Sequence, residues 1–175
     1  MTDSNVAEAP AAEMPEPAMP PTPQASDEHR WLHRMIGRWT ATPGQGCPGG
    51  QSWTEEVRAV GDIWVVAEAS GEGPDGTPMA TIVQLGHDPD KGRYVGTWIG
   101  SMMNHMWLYT GQVDKSGNRL VLDCEGPDCA DPSRTARYQD IVAFFDEDHR
   151  ALISRMEGDD GEWREIMRVD YHRAA

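Results

Sequence analysis

Beyond residue 37 the chain never runs far without a turn. Val60-Gly61-Asp62, Gly73-Pro74-Asp75-Gly76, Asp88-Pro89-Asp90-Lys91-Gly92, Asp114-Lys115-Ser116-Gly117-Asn118, Asp146-Glu147-Asp148 and Gly158-Asp159-Asp160-Gly161 are built from residues that tolerate turn backbone or hydrogen-bond to it. The segments between turns have strand length: 38–42, 51–60, 63–71, 79–86, 93–101, 105–113, 119–125, 136–145, 150–157 and 162–171. Short connections join antiparallel neighbours, so the pattern predicts a meander. A meander of about ten strands curls and closes, because closure removes exposed edges. The expected fold is all-β, an antiparallel barrel of about ten strands with interior room for side chains and one small ligand. A two-sheet sandwich is the competing architecture.

One helix precedes the strands. Ser26 or Asp27 can cap it, and Trp31, Leu32, Met35 and Ile36 form one apolar face before Gly37 stops it. This predicts a short N-terminal plug helix over 27–36. Residues 1–25 are rich in Pro, Ala and Glu and contain no Lys or Arg, a composition that predicts a disordered tail. The expected organisation is a tail over 1–25 and a single barrel domain over 26–175, within what 175 residues can build around one core.

Charge removes several function classes. The formal net charge is -14, which repels phosphate backbones and anionic lipid, so no nucleic acid and no membrane surface is expected as a partner. No apolar run reaches the roughly 18 residues of a transmembrane helix. A basic n-region followed by an apolar h-region is missing, so the expected location is cytoplasmic. Cys47, Cys124 and Cys129 are odd in number, which argues against a disulfide framework. Cys124 and Cys129 stand in a C-x4-C spacing without a fourth candidate ligand, so no metal is expected there.

The stretch Gly86–Trp107 carries the richest chemistry. Its end, Met102-Met103-Asn104-His105-Met106-Trp107, groups thioethers, an imidazole and an indole. Such a set suits a soft ion such as Cu(I), but thioethers more often form a flexible apolar wall. Trp98, Met103, His105, Trp107 and Tyr138 are expected to converge on one concave ligand site, with Glu68 or Asp140 at its polar end. Strand parity leaves the direction of Glu68 and Asp140 open. Glu165 shares the apolar face of the last segment with Trp163, Met167, Val169 and Tyr171, which turns it inward. The nucleophile elbow, the phosphate loop and the dinucleotide fingerprint are all missing. Binding of a small, largely apolar molecule is the leading expectation. The alternative is an enzyme using His105 with Glu68 or Asp140 as an acid/base pair. Oligomeric state stays open, a homodimer included.

Gly37-Arg38-Trp39 resembles the Gly-x-Trp signature of lipocalins. That resemblance implies a tryptophan closing the barrel base beneath an arginine of the last strand, for which Arg168 and Arg173 are candidates. A longer match runs through Glu55-Glu56-Val57-Arg58, Trp64–Glu68, Gly86-His87-Asp88-Pro89, Tyr94–Met102, His105-Met106-Trp107, Glu125-Gly126-Pro127, Tyr138-Gln139-Asp140 and Asp160-Gly161-x-Trp163. Over residues 31–173 it resembles an uncharacterised bacterial family, a domain of unknown function with a lipocalin-like, calycin-type barrel. His87 stands where that family pattern has tyrosine, which implies a changed ligand preference if this position touches ligand. Resemblance to the nitrobindins would make haem the cofactor, with His172 or His105 as proximal ligand. The tail makes a first prediction: truncation at residue 26 should leave the thermal midpoint unchanged within a few degrees, and a larger drop would mean that the tail is bound to the domain.

Overall fold

The computed structural model describes residues 22–44, 46–47, 51–73 and 75–174. The tail expected over 1–25 lies, up to residue 21, outside the described residues. Helix α1 spans Asp27–His33, and ten strands follow: β1 Gly37–Pro43, β2 Trp53–Val60, β3 Trp64–Glu72, β4 Pro78–Asp88, β5 Arg93–Gly100, β6 Trp107–Val113, β7 Arg119–Pro127, β8 Thr135–Phe144, β9 His149–Glu157 and β10 Trp163–Arg173. Each strand pairs antiparallel with its neighbour in sequence, and β10 returns to β1 to close the barrel. The meander expected from the turns is therefore a closed barrel and not a sandwich. Among the described residues no helix is long and apolar enough to cross a membrane.

Aspartates shape the turns. Asp114 Oδ1 accepts the Ser116 N–H at 3.0 Å, Asp146 Oδ1 that of Asp148 at 2.8 Å and Asp160 Oδ1 that of Glu162 at 3.1 Å. Each carboxylate replaces a backbone acceptor two residues on, the Asx-turn arrangement. Gly117 and Gly161 complete two of these turns with φ near +76 and +79, which a residue bearing a Cβ rarely adopts.

One end of the barrel is sealed by α1. The Ser26 N–H donates to His29 Nδ1 at 3.0 Å and caps the helix. Leu32 and Met35 bury against the barrel, and a tight turn carries the chain from His33 to Gly37, so the helix proper is shorter than 27–36. Side-chain donors then tie the helix and its exit to backbone carbonyls: Trp31 Nε1 to Gly117 O at 2.7 Å, Trp39 Nε1 to Met35 O at 2.7 Å and Arg173 Nη1 to Ile36 O at 2.9 Å. Tyr94 Oη likewise donates to Glu28 O at 3.1 Å. The bonds to Met35 O and Ile36 O satisfy carbonyls that the helix exit leaves open.

Trp39 is fully buried. The Arg173 guanidinium lies over its ring at 4.3 Å from the centroid, as the Gly-x-Trp resemblance implied for one of two arginines. The other candidate, Arg168, turns outward and pairs with Asp170 at 2.9 Å. A second guanidinium that the sequence did not announce, Arg150, also lies over Trp39, at 4.7 Å.

The last strand departs from simple alternation. Register slips between Glu165 and Met167, so Ile166 is an extra residue and parity inverts across the bulge. Met167, Val169 and Tyr171 face the interior, whereas Glu165 is exposed and Trp163 lies outside beneath the Arg137 guanidinium at 5.7 Å. The expectation that Glu165 and Trp163 share the inner face with Met167 is thus corrected. Trp39→Ala should cost about 3–5 kcal/mol of stability, the range for deleting a large buried aromatic. Equilibrium denaturant unfolding measures it, and an unchanged midpoint would contradict the closing role of this residue.

Candidate functional site

Alternation along each strand assigns the interior. From the sealed end upward it receives Trp39, Glu55, Arg150 and Tyr171, then Leu85, Leu122, Val142 and Leu152, then Tyr109, Asp140 and Ser154. Nearest the open end stand Trp53, Trp98, Trp107, Tyr138, Met156 and Met167. Between floor and mouth lies a cavity of about 40 Å³. Its apolar walls include Val83, Leu85, Trp98, Leu122, Val142 and Leu152, and its polar lining is Glu55, Thr81, Tyr109, Asp140, Arg150 and Tyr171.

The polar lining has internal order. Arg150, only 2% exposed, donates from Nη2 to Glu55 Oε1, and its guanidinium lies 4.0 Å from the Tyr171 ring centroid. Arg150 Nε has no hydrogen-bond partner. Asp140 accepts from Tyr109 Oη on Oδ2 and from Ser154 Oγ on Oδ1. Desolvation nevertheless pushes the Asp140 carboxyl above the ordinary aspartate range, against the two hydroxyls that pull it down. Desolvation also raises the Tyr109 and Tyr171 phenols, with the Asp140 and Glu55 carboxylates adding to it, so both stay neutral at physiological pH.

The mouth is organised by side chains. Trp107 Nε1 donates to Met103 Sδ at 3.3 Å, and the His105 ring meets the Trp107 ring edge-on at 4.9 Å. Trp107 in turn meets Tyr138 edge-on at 4.9 Å, and Tyr138 Oη donates to Pro127 O at 2.6 Å. His105 Nε2 lies 3.3 Å from Glu125 O. Strand β6 pairs with β7 only from Thr110↔Asp123 to Val113↔Leu120. At Trp107–Tyr109 the two strands are therefore bridged by side chains where a backbone ladder would be expected.

Met103, His105, Trp107 and Tyr138 thus form one chain of contacts, and Trp98 is the cross-strand partner of Trp107. Of the five, Trp98 borders the cavity. Met102 and Met106 are about half exposed on the loop, so they form no interior wall; Met156 and Met167 supply the thioethers at the inner mouth. Glu68 is on the outer face, paired with Arg58 at 3.2 Å, in an open dish of about 660 Å³ across β1–β4. Asp140 points inward but its partners are Tyr109 and Ser154, not His105. The geometry does not assemble His105 with either carboxylate as an acid/base pair. His172 is exposed, stacked on His149 at 4.3 Å, and neither it nor His105 lines the cavity. His87 sits at the sealed end, 5.8 Å from the His29 ring and 5.2 Å from that of Tyr94, so this departure from the family pattern faces the plug helix. Cys124 is buried with its thiol pushed up by desolvation, Cys129 is exposed near Tyr138 Oη, and Cys47 donates to Arg168 O at 3.3 Å. Among the described residues no three His, Cys, Asp or Glu side chains group as metal ligands.

A family profile described as a protein of unknown function, DUF1579, matches residues 24–173. The chain belongs to DUF1579. No curated protein matches it. Among solved structures it is similar to EF1p2_mFAP2b bound to DFHBI, 13% identical over 84% of this chain and 99% of that one, with a TM-score of 0.42. It is also similar to a redesigned beta barrel, b11L5F_LGL, 12% identical over 85% and 96% of the two chains, with a TM-score of 0.39.

Sequence reasoning on this DUF1579 member missed Glu55, Tyr109, Arg150 and Tyr171 as cavity residues and Ser154 as the partner of Asp140. Parity with Val57 could have turned Glu55 inward, since both lie on β2 two residues apart. Asp140 yields a pH prediction. Its folded pKa is raised, so between the ordinary value of about 4 and the folded value the native state binds the extra proton. Stability therefore falls as pH rises through that window, and the cost is full above it. Asp140→Asn should remove this decline. Thermal midpoints of both proteins from pH 3 upward test it, and parallel curves would show that Asp140 ionises normally.

Proposed function

We propose that this DUF1579 chain binds a small, largely apolar molecule inside the barrel, between the polar floor and the aromatic mouth. One observation carries the reading: an interior cavity with aliphatic and aromatic walls is bordered by a buried arginine whose Nε has no partner. Ligand sites characteristically combine apolar walls with a few placed polar groups. An orphaned buried donor costs stability, about 1–3 kcal/mol, unless something meets it.

Size defines how a ligand would fit. A cavity of about 40 Å³ holds a few waters, each needing about 10–15 Å³ on this measure, or the end group of a larger molecule. The body of that molecule would lie where Trp98, Met156 and Met167 now fill the inner mouth. Methionines adapt readily to such displacement. The side-chain-bridged seam between β6 and β7 is the part of the wall with fewest backbone bonds to break, and Tyr109 beside it borders the cavity. Met103, His105, Trp107 and Tyr138 act in this reading as the gate and rim of the site.

Native mass spectrometry of untagged protein, taken directly from cells, should show a small organic mass lost on denaturation. Val83→Trp, which fills the cavity from β4, should remove that mass and leave the circular dichroism of the barrel intact. The reading fails if both proteins carry the same mass. It also fails if nothing is retained and N-phenyl-1-naphthylamine gains no fluorescence on mixing. A Soret band in the preparation would overturn it in favour of haem.

A further inference from the structure

The charges around the cavity restrict what it can hold. Its ionisable lining consists of two acids, Glu55 and Asp140, and one base, Arg150. Glu55 already neutralises Arg150 by direct contact, both groups being almost wholly buried. Tyr109 and Tyr171 contribute dipoles and no charge. The interior is therefore neutral with Asp140 protonated and negative with Asp140 ionised, and in neither state is there a positive charge left for an anion.

A carboxylate, sulfate or phosphate entering here would lose its hydration and find its only cation already paired. An ammonium would sit beside the Arg150 guanidinium, and the Asp140 oxygens that could attract it already accept from Tyr109 and Ser154. It would also leave Arg150 Nε unmatched, because that atom is a donor and an ammonium offers only further donors. A neutral acceptor avoids each of these costs. Resting on the binding reading above, we propose that the cavity selects electrically neutral molecules presenting a hydrogen-bond acceptor, such as a ketone or amide carbonyl, to the polar lining around Arg150, and that it excludes anions.

Three probes of one chain length separate the possibilities: decan-2-one, decanoate and decylammonium, each displacing N-phenyl-1-naphthylamine from the full chain at pH 7. Decan-2-one should bind at least about tenfold more tightly than either ion, a difference of about 1.4 kcal/mol. Glu55→Gln frees the Arg150 charge, so decanoate should gain at least about tenfold relative to decan-2-one. If that variant does not fold, Asp140→Asn keeps the Glu55–Arg150 pair and should narrow the ketone-to-decanoate gap by removing the second acid. Decanoate or decylammonium binding wild-type protein as tightly as the ketone overturns the inference and leaves the cavity reading standing. Displacement by none of the three overturns this inference and leaves the binding reading to the retained mass and the dye fluorescence. A ketone preference that survives in Val83→Trp places the probes outside the cavity and overturns the inference as well.

Discussion

A guanidinium buried at the sealed end organises this barrel. Arg150 rises from β9, pairs with Glu55 of β2, and lies over the rings of Trp39 on β1 and Tyr171 on β10. Four strands that meet around the closure of the barrel thus converge on one side chain. Trp39 extends the chain of contacts to the plug helix through Met35 O, and to the chain end through Arg173. A buried ion pair seldom adds net stability, because desolvation consumes most of its Coulomb gain. Its asymmetry matters more: removing one partner strands the other and typically costs about 3–5 kcal/mol. Glu55 and Arg150 are consequently bound to each other's presence, and the aromatic rings around them complete the shielding.

The same arginine divides the interior into two regimes. Below it, donors meet backbone carbonyls, and the helix is held at Gly117, Met35, Glu28 and Ile36. Such bonds leave little freedom, since each satisfies a group with few other partners. Above it, the mouth is closed by edge-on rings, a sulfur acceptor and an imidazole against a carbonyl. These contacts are individually weak and rearrange by rotamer change, with backbone ladder missing on one side of Trp107–Tyr109. A rigid polar floor thus lies beneath a soft aromatic mouth whose side chains rearrange without disturbing it.

Much of the fold was legible because hairpin turns announce themselves. All ten strands fall where turn residues predicted them, and the helix begins at its expected cap. The interior was harder to read. In β8 and β9 both faces are apolar: Ile141, Ala143, Ala151 and Ile153 bury on the outer side while Val142 and Leu152 face inward. Parity cannot then be deduced from hydrophobicity, so Asp140 was left undirected and Arg150 went unnoticed. In β10 the alternation looked clean and misled, because the bulge at Ile166 sends Glu165 and Trp163 outside. Glu68 illustrates a third case, a carboxylate beside an apolar run that pairs outward with Arg58. The mouth cluster was visible from composition, but that His105 would reach Glu125 O and not a carboxylate depends on a loop path that no periodicity encodes.

The overall charge of -14 and the interior charge are separate matters. Many of the acids sit in turns, where the carboxylate is a structural acceptor: Asp75 for Thr77, Asp88 for Asp90 and Asp131 for Ser133 join those already described. The Arg164 guanidinium beside Asp160 holds that carboxyl down at about 2, so the turn stays ionised well into acid. These charges face water and are screened beyond about 8 Å at physiological ionic strength. The cavity lies behind a sheet and a low-polarity wall, where screening is weak and each charge counts. The charge inside the barrel is set by Glu55, Asp140 and Arg150, whose balance would be the same on a basic protein. The acidic surface repels anions, and the paired floor offers them no free cation. Outside and inside therefore act in the same direction through unrelated residues, and either could change without the other.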